Sequence, residues 1–206
     1  MQMENNKIDY YGEEHFIMIT YSRDSAVDYV QMNWKVPVDV IESEYKNVKD
    51  SLVIHRPEDG HKDWCAVTLY GVDSDKTNSH WEYGLRAKKK VTEVGKKCPK
   101  TMEWINTLPI ARLDDVRFLV IKPGGYIAPH VDVPDRNWLE PINICITWPA
   151  GSEFIHNGKQ VPYKPGMPLV LNIHYEHQVK NNSNEERLHL LIHGKKKKEF
   201  WNDAIS

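Results

Sequence analysis

Residues 128–135 read APHVDVPD and set His130 and Asp132 two positions apart. In a strand, residues i and i+2 project to the same side, so this imidazole and carboxylate can reach one ion while Val131 packs the opposite face. The tripeptide alone does not define a metal site, because such pairs also end strands as ordinary hydrogen-bonding residues. His177 changes the reading. It follows Asp132 by 45 residues, just after the apolar run PLVLNIH, where an antiparallel sheet can fold it back against the pair. Arg187 opens a further strand ten residues later. Two imidazoles and one carboxylate leave three positions of an octahedral ion open, a donor set suited to non-haem Fe(II) chemistry rather than to closed structural zinc. Open positions require another ligand, and a guanidinium that grips a carboxylate through two parallel hydrogen bonds points to a dicarboxylic acid.

His174 and His189 are the rival histidines. His174 lies three residues before His177 across a bend, and His189 lies two after Arg187 on the same strand face. Each reads as a hydrogen-bonding support or an interior residue. His156, beside Asn157-Gly158, reads as exposed.

The elements that must carry these residues are short strands. From Arg117 onward the chain runs RFLVIK, YIAPHVD, INICITW, EFIH, KQVPY, PLVLNIH and RLHLLIH, with turn signals between nearly all of them. Lys122-Pro123-Gly124-Gly125 reads as a turn between the first two strands. Asn157-Gly158 is a two-residue hairpin signal, because both central residues must tolerate positive φ. Six or more short antiparallel strands predict a sandwich, jelly roll or small barrel. Upstream, Val38, Ile41, Tyr45 and Val48 fall at helical spacing behind Pro37, so a helix is predicted over 38–49. WCAVTLYGV (64–72) reads as a strand, and 101–108 as a helix capped by Thr101 with Glu103 in its first turn. The whole is mainly β with flanking helices. One domain over 1–206 is expected, with residues 1–116 as an elaboration packed on a 117–194 core.

Composition narrows the partners. A net charge of -2 creates no field that would draw nucleic acid or an anionic membrane, and Lys88–Lys90 and Lys195–Lys198 read as solvated faces. No apolar run approaches the roughly 20 residues of a membrane span. Cys65, Cys98 and Cys145 are odd in number and form no CxxC pair, and the N-terminus carries no apolar signal segment, so a cytoplasmic setting is expected.

The ordered set Pro123-Gly124, Pro129-His130-Val131-Asp132, Tyr163-Lys164-Pro165-Gly166, His177-Gln178-Val179-Lys180-Asn181 and Arg187 resembles the 2-oxoglutarate- and Fe(II)-dependent oxygenases, in their aspartyl/asparaginyl β-hydroxylase-like branch, which includes bacterial proline hydroxylases. The likeness spans roughly Arg117 to Gly194, with weaker echoes in WCAVTLYG and CPKTMEWINTLP. It implies a double-stranded β-helix (jelly roll, cupin-like) core, Fe(II) held by His130, Asp132 and His177, and the distal carboxylate of 2-oxoglutarate held by Arg187, with O2 as oxidant. One position departs from the pattern. Relatives often carry an arginine and a histidine two apart on the strand after HxD, where this chain has Pro141 and Asn143. The Asn143 amide can still donate to the keto-acid end of the cosubstrate, without the charge. Asp132 implies hydroxylation, since halogenating relatives lack this carboxylate.

The resemblance implies a small-molecule, amino-acid or peptide substrate. Arg136 and Trp138 are candidate substrate contacts by their closeness to HxD, and Trp81 and Arg86, with the His80-Trp81-Glu82-Tyr83 run, by their place in the upstream insert. Two alternatives stay open: a cupin-like metalloenzyme without 2-oxoglutarate, for which Arg187 would be dispensable, and a non-catalytic jelly-roll binding module, which would hold no metal.

Overall fold

The computed structural model describes residues 28–78, 87–132 and 141–205. Trp81, Arg86, Arg136 and Trp138, with the rest of the 80–83 run, lie outside the described residues. Strands are β1 (Tyr29–Gln31), β2 (Val53–Ile54), β3 (Lys62–Gly71), β4 (Lys90–Val91), β5 (Ile110–His130), β6 (Ile142–Cys145), β7 (Ser152–His156), β8 (Lys159–Gln160), β9 (Pro168–Leu171), β10 (His177–Asn181) and β11 (Arg187–Lys196). Helices α1 (Val38–Lys46) and α2 (Pro99–Asn106) come from the first half. The hydrogen-bonded path β1-β9-β6-β11-β5-β10-β7-β8 curls over itself, with β3 added along β5. This is the double-stranded β-helix, or jelly roll. Among the described residues no helix is long and apolar enough to cross a membrane.

β5 links the two facing layers. Its first part lies between β11 and β3, with Ile121 opposite Arg187 and Trp64, and its last part pairs with β10, with Ile127 opposite Val179 and His130 opposite His177. The Pro123-Gly124-Gly125 run between them is therefore a corner within one 21-residue strand, not the expected chain reversal. The composition suits a corner as well as a turn: Pro123 has no N–H to pair, and Gly124 takes a left-handed φ of 72°. At Gly125 a Cβ would sit 2.8 Å from the Lys62 carbonyl oxygen and 2.9 Å from that of Lys122. Gly125→Ala is expected to destabilise the fold by about 1–3 kcal/mol through this overlap, which urea denaturation would measure.

Period-two alternation sends each strand's residues to two different cores. Val116, Phe118 and Val120 of β5, with Leu188, Leu190 and Ile192 of β11, pack against Ile41, Tyr45, Met102 and Ile105 of the helices. Leu119 and Ile121 face the other way, onto Phe154, Ile127 and Val179 of the opposing layer. The chemistry-bearing residues lie on this second face.

Helix α1 begins at Val38 as its spacing predicts, but α2 begins at Pro99, with Thr101 buried inside it. Its cap comes from α1. The Glu44 carboxylate accepts the Lys100 and Thr101 backbone N–H groups at 2.9 and 2.8 Å, so Thr101 is not needed there. Asn157 and Gly158 take φ of 50° and 71° and close the β7–β8 hairpin, as expected. KQVPY contributes only Lys159-Gln160 to a strand.

Candidate metal and cosubstrate site

His130 ends β5, and Asp132 lies two residues on, with its N–H bonded to the Ile173 carbonyl at 3.2 Å. His177 begins β10 directly across from His130. The cross-strand pairing brings the imidazole rings to 4.3 Å between centroids. His130 Nε2 lies 3.8 Å from Asp132 Oδ1, and His177 Nε2 lies 3.8 Å from Asp132 Oδ2. One donor atom from each of the three residues lies within 4.8 Å of the others. Val131 does not pack as expected. It is 40% exposed, one residue beyond the end of the strand.

The hydrogen bonds set the chemistry of these nitrogens. His130 Nδ1 meets the Ala128 carbonyl at 2.8 Å, and His177 Nδ1 meets that of Tyr175 at 3.0 Å. A carbonyl only accepts, so each Nδ1 donates there and each Nε2 is the ring nitrogen turned toward Asp132. Burial also lowers the pKa of His177 below the usual histidine range, which keeps the ring neutral. Two imidazoles and one carboxylate, spaced to surround a single ion, fit a divalent iron.

These three residues and Arg187 line one cavity of about 150 Å³. Arg187 is 4% exposed, and among the described residues no carboxylate pairs with its guanidinium and no hydrogen-bond acceptor meets its Nε. It lies over the Trp148 ring, 5.1 Å from the centroid, and 6.0 Å from that of Phe154. Burial pulls its pKa down to about 10, so it remains a cation at neutral pH. The surroundings hold it there. Thr147 Oγ1 donates to the Glu186 carbonyl and accepts the Leu188 N–H, and the buried Asn181 amide donates to the carbonyls of Ile121 and Glu185. A buried cation without a counter-charge is costly, so this geometry suits an incoming anion.

Pro141 and Asn143 line the same cavity. Asn143 Oδ1 accepts from Tyr163 Oη at 3.1 Å and from His189 Nδ1 at 2.5 Å, which leaves its amide N–H groups for a ligand. His189 is fully buried and held neutral by burial and by the charge of Arg187. It belongs to the cavity wall and not to the three-donor cluster, and His174 also lies outside that cluster. His156 is 1% exposed rather than solvent-facing. Alternation along β7 turns it inward with Phe154, and its Nε2 meets the Asn172 carbonyl at 2.9 Å.

Sequence reasoning missed a further polar part of the cavity lining. Arg117 sits there, paired with fully buried Asp115 at 2.6 Å and donating to the Thr77 carbonyl, beside His55 and Asn78. The signal was a charged pair two residues apart at the head of an apolar strand. Such a pair shares one face with Leu119 and Ile121.

A jelly roll with a two-histidine, one-carboxylate cluster and a buried arginine in the same cavity defines a class, the Fe(II)- and 2-oxoglutarate-dependent dioxygenases, whose oxidant is O2. Residues 33–197 match the family model for aspartyl/asparaginyl beta-hydroxylase, and the chain belongs to that family. No curated protein matches it. Among solved structures it is similar to a Pseudomonas putida prolyl-4-hydroxylase, with 14% identity, 84% of this chain and 94% of that chain covered, and a TM-score of 0.51. A Trichoplax adhaerens prolyl hydroxylase in complex with a hypoxia inducible factor peptide fragment gives 13% identity, 86% and 88% coverage, and a TM-score of 0.51. At these identities the likeness shows the fold.

Proposed function

We propose that the chain hydroxylates an unactivated C–H bond of an amino acid, a peptidyl side chain or another small polar molecule, with succinate and CO2 as coproducts. The observation that carries this reading is the buried Arg187 guanidinium, without an acidic partner among the described residues, in the cavity that the three metal-type donors also line. His130, Asp132 and His177 would hold Fe(II), which with 2-oxoglutarate and O2 supplies the oxidising power that puts oxygen into such a bond. Arg187 would bind the distal carboxylate of 2-oxoglutarate in two parallel hydrogen bonds. The free Asn143 amide would donate to its keto-acid end. Leu119, Phe154, Leu171 and Leu191 make the wall apolar, which excludes water and holds the substrate close to the metal. The Asp132 carboxylate favours hydroxylation over halogenation.

The polar lining residues Arg117, Asn78 and His55 support a polar substrate. The Trichoplax neighbour is in complex with a peptide, which brings peptides into consideration beside free amino acids. The test is a screen of both for stimulation of Fe(II)-dependent succinate release from 2-oxoglutarate. At least one is expected to raise the rate above the uncoupled background and to gain one oxygen atom by mass. Succinate release that does not need Fe(II), or none from any compound and none uncoupled, would sink the reading.

A further inference from the structure

No motif marks HRPEDGH, residues 55–61 between β2 and β3, yet it touches the HxD arm at two separate points. We propose that this loop is a brace for the metal ligands, with Arg56 and His61 as positioning residues; the inference rests on His130, Asp132 and His177 as the ligands.

The first contact is electrostatic. Arg56 Nη1 lies 3.9 Å from Asp132 Oδ1, while its Nε is tied to Asp59 Oδ2 at 2.5 Å. The Asp59 N–H closes the loop onto the Arg56 carbonyl at 3.2 Å. The guanidinium is thus anchored on one carboxylate and presented to the other. If one oxygen of Asp132 took the ion, the other would need a partner, and Arg56 places a cation 3.9 Å from Oδ1, where it would favour one-oxygen ligation and leave positions for cosubstrate. The backbone is bent for the purpose: Arg56 takes a left-handed φ of 49°, a conformation that costs a non-glycine residue about 1 kcal/mol or more.

The second contact runs through the main chain. The Ala128 N–H donates to His61 Nδ1 at 3.1 Å, and the carbonyl of the same residue accepts the His130 Nδ1 proton at 2.8 Å. His61 therefore fixes the residue that fixes the His130 ring. It packs edge-on against Trp64, with ring centroids 4.9 Å apart, and lies 5.4 Å from the His130 ring. Both ligands of the HxD arm are steadied from one loop, by different residues and different forces.

The test uses the metal alone: apoprotein titrated with Mn(II) and followed by electron paramagnetic resonance. Arg56→Gly suits the left-handed backbone, so it should fold at least as well as wild type while weakening Mn(II) about 10- to 100-fold, the usual cost of an outer-shell partner. Its bound-ion spectrum should change as Asp132 shifts to two-oxygen ligation. Arg56→Lys should recover part of the affinity, and Asp59→Asn, which frees the guanidinium without touching the strained residue, should lose part. His61→Leu should weaken Mn(II), and His61→Asn, which keeps an acceptor, should restore it. Folded Arg56→Gly and His61→Leu proteins with wild-type affinity and spectrum would overturn the brace. If wild type itself takes up no Mn(II), or Asp132→Ala takes it up equally, the ligand reading has failed instead, and the brace with it.

Discussion

His177→Ala is expected to abolish stoichiometric Fe(II) binding and to lower 2-oxoglutarate turnover by more than about 100-fold, beyond the range of outer-shell changes. The magnitude follows from the geometry. His177 is the proposed ligand that comes from β10, the strand paired with the end of β5, and its Nε2 faces Asp132 Oδ2 at 3.8 Å. Without it only the HxD arm remains, and two donors from one strand end hold a divalent ion weakly in water. The fold should survive, because among the described residues the ring makes a single hydrogen bond, from Nδ1 to the Tyr175 carbonyl, and β10 keeps its ladder to β7 and β5. Metal analysis of the purified variant, beside its circular dichroism, separates the two effects.

Arg187→Met is expected to have opposite effects on stability and function. In the absence of cosubstrate the substitution removes a buried cation that no carboxylate among the described residues balances, so thermal stability should hold or rise. Methionine keeps comparable apolar contact with Trp148 and Phe154. Cosubstrate binding should collapse. Loss of one partner of a buried charge pair costs about 2–5 kcal/mol, which is on the order of 30- to several-thousand-fold in 2-oxoglutarate affinity. Fe(II) binding should persist, since Arg187 is not among the three donors. Calorimetric titration of 2-oxoglutarate into the metal-loaded variant checks this. Unchanged affinity would favour the alternative metalloenzyme that does not use 2-oxoglutarate.

The parts of the site that were legible in the sequence are those carried by periodicity. His130 and Asp132 two apart, and Arg187 and His189 two apart, announce a shared strand face, and the structure turns each pair into one cavity. Strand-rich texture after Arg117 gave the jelly roll. What stayed hidden depends on contacts distant in the chain. The α2 cap is a carboxylate 56 residues upstream of the N–H it serves, so the local sequence offered Thr101 in its place. Glycine and proline at 123–125 signal a departure from regular pairing without saying whether the chain reverses or turns a corner. That choice is made by β10, whose HQVKN holds a single aliphatic residue and gives little strand signal of its own. His156 was misplaced because a residue beside a tight turn is usually exposed, whereas this hairpin folds its last inward position onto Asn172. Arg56 and His61 were invisible for the same reason: each acts on the HxD arm from more than 60 residues away.

Anaerobic addition of Fe(II) and then 2-oxoglutarate to the purified protein tests the central claim most directly. The account predicts one Fe(II) bound per chain and, on adding 2-oxoglutarate, the visible charge-transfer band of its chelate with iron, absent from His177→Ala and displaced to higher cosubstrate concentration in Arg187→Met. A wild-type protein that binds no Fe(II), or one whose band is equally strong in His177→Ala, would contradict it.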